Sequence, residues 1–227
     1  MLETVNIELE KVRINGLVRF RRHASAPPAG KKAQGIYHTV KRGDTLYRIA
    51  KTYGVDLQGL AEINNITDLA TIKMGQKIFV PGVCVAKPIP ADEKGPPPSA
   101  PRIVRKRDFI WPVEGKVVSE FGIRDGLRFE GIEIAAPLGT PVKACEDGEV
   151  VYQGNLKGYG NLVILRHRDF YKTVYAYNQA NLVTLGRRVK KGETIASVGN
   201  VGPAATPCLY FQVREKDQSR NPLFFLP

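Results

Sequence analysis

Six of the sixteen prolines in this 227-residue chain fall between residues 83 and 109, including the run Pro96-Pro97-Pro98. Proline fixes φ and removes a backbone donor, so this stretch suits neither a helix interior nor a central strand and reads as an extended, semi-rigid spacer. The spacer divides the chain. A second polar stretch, His23 to Gln34, carries Pro27-Pro28 and Lys31-Lys32 and sets off an N-terminal arm. Four segments follow: an arm over 1–35, a compact unit over 36–82, a proline-rich basic spacer over 83–109 and a second domain over 110–227.

Charge narrows the partners. The formal net charge is +12, with the excess richest in the arm and the spacer and no dense basic block anywhere. Such a surface favours a polyanion: nucleic acid, a membrane surface or an acidic wall polymer. A nucleic-acid reader would concentrate its charge on one face and interleave stacking aromatics, so no specific nucleic-acid partner is expected. No run of about 18 apolar residues is present, so no transmembrane segment is expected. Met1 to Arg22 also lacks the basic-then-apolar plan of a signal peptide. Cys84, Cys145 and Cys208 are too few for a disulfide scaffold, and His23, His38 and His167 are the only histidines.

The arm alternates Val5, Ile7 and Leu9, then Val12 and Ile14, before Asn15-Gly16 and Leu17–Phe20. Asn-Gly between such runs predicts a type I′ hairpin. The unit over 36–82 reads as βααβ. Tyr37–Val40 forms a strand, and Asp44 or Thr45 caps a helix that places Leu46, Ile49, Ala50 and Tyr53 on one face. Gly54 stops that helix. Asp56 caps a second, with Leu57, Leu60 and Ile63 inward, and Gln76–Val80 returns as a strand. Beyond residue 110, glycines punctuate short apolar runs: 116–119, 131–134, 141–143, 148–152, 161–167, 172–176, 194–198 and 209–214. That spacing predicts a mainly-β antiparallel domain without long helices.

Residues 36–81 resemble the LysM family through Tyr37-His38-Thr39-Val40, Gly43-Asp44-Thr45-Leu46, Ile49-Ala50, Leu60, Ile63-Asn64, Gly75-Gln76 and Val80-Pro81. The resemblance implies a βααβ fold that binds N-acetylglucosamine-containing glycan, peptidoglycan in particular. It places the groove between the loop Gly43, Asp44, Thr45 and Leu46 and the segment from Ile66 to Met74. Backbone groups of that loop would bond acetamides, while Ile66, Leu69 and Ile72 would meet sugar faces. Asp44 and Thr45 equally suit helix capping, and Asn64 suits backbone satisfaction at a helix end. His38 is read as an exposed strand residue.

Residues 111–227 resemble the LytM/lysostaphin-type metallopeptidase domain. The match runs through Trp111-Pro112, Ser119–Arg124, Gly131–Pro137, Gly139–Val142, Gly148–Val151, Gly158–Asn161, Thr173–Ala176, Val189–Gly192 and Leu209–Arg214. Active members of that family carry one zinc on His-x-x-x-Asp and His-x-His, with a further His after Tyr-Ala. This chain departs at every position: Phe129 and Glu133 stand for the first motif, Tyr177 for the middle His, and Cys208 and Tyr210 for the last pair. Phenylalanine has no donor atom, and a phenol is protonated near neutral pH. His167, the remaining basic group, falls at a strand position where the family has a non-ligand His. No metal, no cofactor and no catalytic residue is therefore expected.

LysM, a proline-rich spacer and a LytM domain without its histidines is an arrangement similar to the NlpD-type and EnvC-type cell-division factors. The resemblance implies a periplasmic or envelope location, often as a lipoprotein. It also implies a non-enzymatic role: binding peptidoglycan and activating a periplasmic N-acetylmuramoyl-L-alanine amidase at septation. In that reading Phe129, Glu133, Tyr177, Cys208 and Tyr210 line a degenerate groove that receives the amidase, with Arg124 and Arg128 at its rim. The same side chains equally suit simple filling of the old metal cavity. A passive wall-binding scaffold and a residual hydrolase are the other functional readings.

Overall fold

The computed structural model describes residues 11–14, 17–20, 31–69, 72–89, 109–124, 126–200, 206–216 and 218–227. Strands β1 (Lys11–Ile14) and β2 (Leu17–Phe20) pair antiparallel in the register Ile14↔Leu17. The Asn15-Gly16 turn expected between them, like residues 90–108 of the spacer, lies outside the described residues. A two-residue strand, β3 (Lys31–Lys32), precedes the LysM unit.

In that unit β4 (Gly35–Thr39) pairs antiparallel with β5 (Lys77–Pro81), and two short helices cover the ribbon. Helix α1 (Leu46–Tyr53) begins where Thr45 Oγ1 accepts the Arg48 amide at 3.2 Å and ends at Gly54 in the left-handed region. Its buried side chains are the expected Leu46, Ile49, Ala50 and Tyr53. Helix α2 (Leu57–Ile63) is capped by Asp56, which accepts the Gly59 amide at 2.6 Å. The Asn64 amide then accepts from Phe79 N at 2.7 Å and donates to Phe79 O at 2.9 Å, stitching the helix end to β5. Leu60 and Ala61 reach the core, but Ile63 does not. The inward position expected for it fails because this end of α2 faces the second domain instead.

The second domain starts at Phe109, already buried. Its strands are β6 (Lys116–Ser119), β7 (Gly122–Arg124), β8 (Leu127–Phe129), β9 (Ile132–Ala135), β10 (Pro141–Lys143) and β11 (Gly148–Leu156). They continue as β12 (Gly160–Arg166), β13 (Tyr171–Asn181), β14 (Arg188–Val189), β15 (Thr194–Val198), β16 (Cys208–Glu215) and β17 (Gln218–Arg220). The main sheet runs β14-β11-β12-β13-β16-β9-β6, with β10 joined through β15 to β13 and β17 to β16. Both faces of its centre are covered. Val163, Leu165, Leu209, Phe211 and Val213 pack into one cluster. Their neighbours Leu162, Ile164, Cys208 and Tyr210 pack into another. This explains the continuous apolar runs in β12 and β16, since alternation of apolar and polar residues requires one wet face. The domain is mainly antiparallel β, as expected, and no described helix is long and apolar enough to cross a membrane.

The two domains touch, although a proline-rich spacer suggests modules held apart. Strand β3 adds to the β7–β8 hairpin, with Lys31↔Arg128 and Lys32↔Leu127 in register and Ala33 N donating to Gly126 O at 2.7 Å. On α2, Glu62 is only 4% exposed, and its carboxylate takes both Nε (2.8 Å) and Nη2 of Arg220. Nη1 of Arg220 donates to Glu215. Asn221 Nδ2 donates to Glu62 O at 3.2 Å and to Asn65 Oδ1 at 2.8 Å, and Asn65 donates to Glu120 at 3.3 Å. The fit is close: a Cβ at Gly122 would lie 2.6 Å from Ile63 O. A buried carboxylate is tolerated only when paired and hydrogen-bonded, and Arg220 supplies the bidentate match.

Candidate functional site: a tyrosine-filled groove

The site is built on three adjacent strands, β9, β16 and β13. Register places Tyr210 opposite Glu133 on one side and Ala176 on the other, and Cys208 opposite Ala135. Tyr177 follows Ala176 with φ of 67°, a left-handed conformation rare for a bulky residue. At that kink the Tyr177 amide leaves the ladder and donates to Tyr159 O at 2.9 Å. Gly199 lies against the kink, where a Cβ would come within 2.3 Å of Tyr177 O. Gly131 permits the neighbouring close approach, since a Cβ there would lie 2.7 Å from the Tyr210 ring.

Three tyrosines meet in this space. The Tyr210 ring lies 5.7 Å from Tyr159, edge to face, and 5.6 Å from Tyr177, tilted. Tyr177 is 1% exposed, Cys208 2% and Tyr210 7%, all within one apolar cluster. Three of the five groove candidates thus fill the cavity as core. The sequence left filling and partner contact open for them, and these three have little surface left for a partner.

Phe129 and Glu133 remain half-buried and form the wall that solvent reaches. The Arg124 guanidinium lies over the Phe129 ring, 3.9 Å from its centroid, and donates to Ser119 Oγ at 2.7 Å. Its Nε is buried with no acceptor among the described residues. Arg128, on β8, is exposed and 4.0 Å from Glu130. Arg124 is thus a cation stacked on an aromatic ring, near enough to Glu133 to act on its charge.

Acid–base properties follow from burial. Burial pushes the Glu133 carboxyl above the usual glutamate range, with Arg124 opposing the rise. Burial, helped by the Glu133 charge, pushes the Cys208 thiol up to about 11. Burial likewise raises Tyr159 to about 12 and takes Tyr177 and Tyr210 higher still. With no metal bound, burial favours the protonated form of all three phenols and of the thiol. His167 is no partner for Cys208: its Nδ1 is 2.8 Å from Asp147 O and its Nε2 2.7 Å from Thr173 Oγ1, beside Phe109. The donor set does not fit zinc, because Phe129 has no ligand atom and Glu133 is left as a single carboxylate. Among the described residues no group of three or more His, Cys, Asp and Glu could hold a metal ion.

In the LysM unit Leu46 and Ile66 are core, so their side chains face no sugar. Leu69 and Ile72 are half-buried on that core's edge, and Gly43 is exposed in a left-handed turn. Thr45 caps α1. Asp44 Oδ2 accepts the Lys41 amide at 2.8 Å and lies 3.0 Å from His38 Nε2. His38 is 8% exposed, not the exposed strand residue expected, because Tyr53 and Asp44 bracket both ring nitrogens.

Residues 38–81 match the LysM domain and residues 128–222 match peptidase family M23. A lipoprotein of Escherichia coli, YgeR, is 41% identical over 85% of this chain and 82% of its own length. The murein hydrolase activator NlpD of Escherichia coli is 32% identical over 94% of this chain and 73% of its own length. The chain belongs to the NlpD-type family of LysM–LytM proteins. A zinc-containing peptidase from Vibrio cholerae is 29% identical, covering 53% of this chain and 41% of that chain with a TM-score of 0.48. Within this NlpD-type chain, Tyr159 is the site residue that sequence reasoning passed over. Its signal was Gly158-Tyr159-Gly160, a large ring between two glycines with positive φ.

Proposed function

We propose that this chain is a non-catalytic, peptidoglycan-binding activator of a cell-wall N-acetylmuramoyl-L-alanine amidase, acting in the bacterial envelope during septal peptidoglycan splitting. The observation that carries the reading is the chemistry of the groove. Where a hydrolase needs metal ligands and a water-activating base, this domain holds buried tyrosines and a buried thiol in one apolar cluster. Support comes also from the likeness to NlpD, a murein hydrolase activator, and from the LysM match. The YgeR likeness supports an envelope location.

In this reading the LysM unit holds the protein on the wall, and the Phe129–Arg124 rim with Arg128 and Glu133 receives a segment of the amidase. Aromatic and arginine side chains are the residue types that dominate protein interfaces. Activation then requires tighter binding to the open amidase than to the closed one, because equal affinity for both states shifts nothing. Shifting an amidase from 1% to 99% open takes a preference of about 10⁴-fold.

The test is co-sedimentation and pull-down with Phe129→Ala and Arg124→Glu combined. Loss of amidase binding with retained sedimentation on sacculi is the expected result. Retention of both would refute the rim as receptor and favour a passive scaffold.

A further inference from the structure

The LysM unit has a cleft of about 590 Å³ walled by β4, the Lys41–Asp44 loop, Arg48 and Tyr53 of α1, and the first part of the spacer, Ala86–Ile89, and no described residue of the segment 66–74 lines it. The spacer belongs to the wall because it is pinned there. Tyr53 Oη lies 3.2 Å from both the amide N and the carbonyl O of Lys87, and Ile89 packs on the LysM core.

Charge in the cleft is one-sided. Lys41, Arg42, Arg48 and Lys87 line it, and Asp44 is the only carboxylate among the described residues that line it. Asp44 is already engaged by the Lys41 amide and by His38. Arg48 is tied by Nη1 to Gly43 O at 2.7 Å. Lys41, Arg42 and Lys87 have no ion-pair partner among the described residues and are exposed. The floor is rigid: with the proton on Nε2, His38 donates to Asp44 and accepts from Tyr53 Oη, 3.1 Å away, while Tyr53 accepts from the Lys87 amide. Beside the cations stands an apolar wall, with Tyr37 49% exposed and edge-on to Phe79, and Pro88 across from it.

We propose that this cleft binds a short peptide bearing free carboxylates, of the kind that hangs from the glycan strands of peptidoglycan. Three separated cations beside an aromatic face suit several carboxylates along a chain with small apolar side groups. A lone phosphate would leave most of a cleft of about 590 Å³ empty. The placement agrees. Gly43 and Asp44, which border the glycan groove in the LysM resemblance, also line this cleft, which places a peptide attached to a glycan bound there within reach of it. The inference rests on the peptidoglycan-binding reading above, and it gives the spacer residues 86–89 a part in recognition.

The test uses the full chain in calorimetric titrations with three probes. These are an N-acetylglucosamine hexamer, the tripeptide L-alanyl-γ-D-glutamyl-diaminopimelate, and that tripeptide with its carboxyls amidated. Wild type should bind the acidic tripeptide at least tenfold more tightly than its amidated form. Lys41→Glu combined with Lys87→Glu should weaken tripeptide binding at least tenfold and leave the hexamer within twofold, which also shows that the variant is folded. Tripeptide binding that is absent, that ignores amidation, or that survives the double substitution overturns the proposal. So does displacement of the tripeptide by inorganic phosphate at equal affinity, which would mark a general anion site. Failure of wild type to bind the hexamer would count against the peptidoglycan reading instead, so the two failures are distinguishable.

Discussion

Arg220 holds the LysM unit against the second domain, and replacing it by alanine should release that contact without unfolding either part. The guanidinium lies between Glu62 on α2 and Glu215 on β16, with its side chain 17% exposed and that of Glu62 6% exposed. Breaking a buried ion pair by removing one partner costs about 3–5 kcal/mol, mostly from the charge left behind. The lower end applies here because Arg220 is partly wet. About 3 kcal/mol is a loss of roughly 10²-fold in the docking equilibrium constant. Each domain has its own apolar cluster, so the loss should appear as undocking. Small-angle scattering should show a larger radius of gyration, and limited proteolysis should show faster cleavage near Ala33, whose amide bonds to Gly126 O of the second domain. Glu62→Ala should act less strongly, since Arg220 then keeps Glu215. Arg220→Ala with unchanged scattering and unchanged cleavage would refute the assignment of the contact to this cluster.

Two further outcomes follow from burial. Because the folded Glu133 carboxyl is raised mainly by desolvation, its ionised form opposes folding: the stability tied to the protonated form is present below the unfolded value and lost as pH rises through the folded one. Glu133→Gln should therefore raise the melting temperature at pH 7, and the gain should fade toward pH 4; a loss at pH 7 would mean that the Arg124 attraction dominates. In thiol titration with an aromatic disulfide reagent, exposed Cys84 should react at once in the native protein. Buried Cys145, pushed up to about 12, and Cys208, pushed up to about 11, should react only on unfolding; rapid native labelling of Cys208 would contradict the closed floor.

Much of the fold was legible because its signals are local. The i, i+3, i+4, i+7 set in α1, the capping Thr45 and the left-handed Gly54 are read within ten residues. What escaped was non-local. Glu62 and Arg220 are 158 residues apart, and nothing around either marks it as the other's partner. Ile63 looked like a core residue because its spacing from Leu60 is helical, yet that end of α2 is covered by another domain. The short strands β7 (Gly122–Arg124) and β8 (Leu127–Phe129) escaped, and their third strand, β3, comes from nearly a hundred residues earlier in the chain. At the groove, the family resemblance singled out Phe129, Glu133, Tyr177, Cys208 and Tyr210, and the sequence could not separate filling from docking. A strand buried on both faces has no alternation to show which side chains see solvent. Burial divides them: Tyr177, Cys208 and Tyr210 inside, Phe129 and Glu133 at the edge.

The central claim is activation without catalysis, and dye release from labelled sacculi tests it most directly. Three reactions are compared: this chain alone, a periplasmic amidase alone, and both together. The account predicts background release from the chain alone, with or without added zinc, and release from the mixture well above that of the amidase. Release by the chain alone would contradict this reading, because buried phenols and a buried thiol supply no water-activating base.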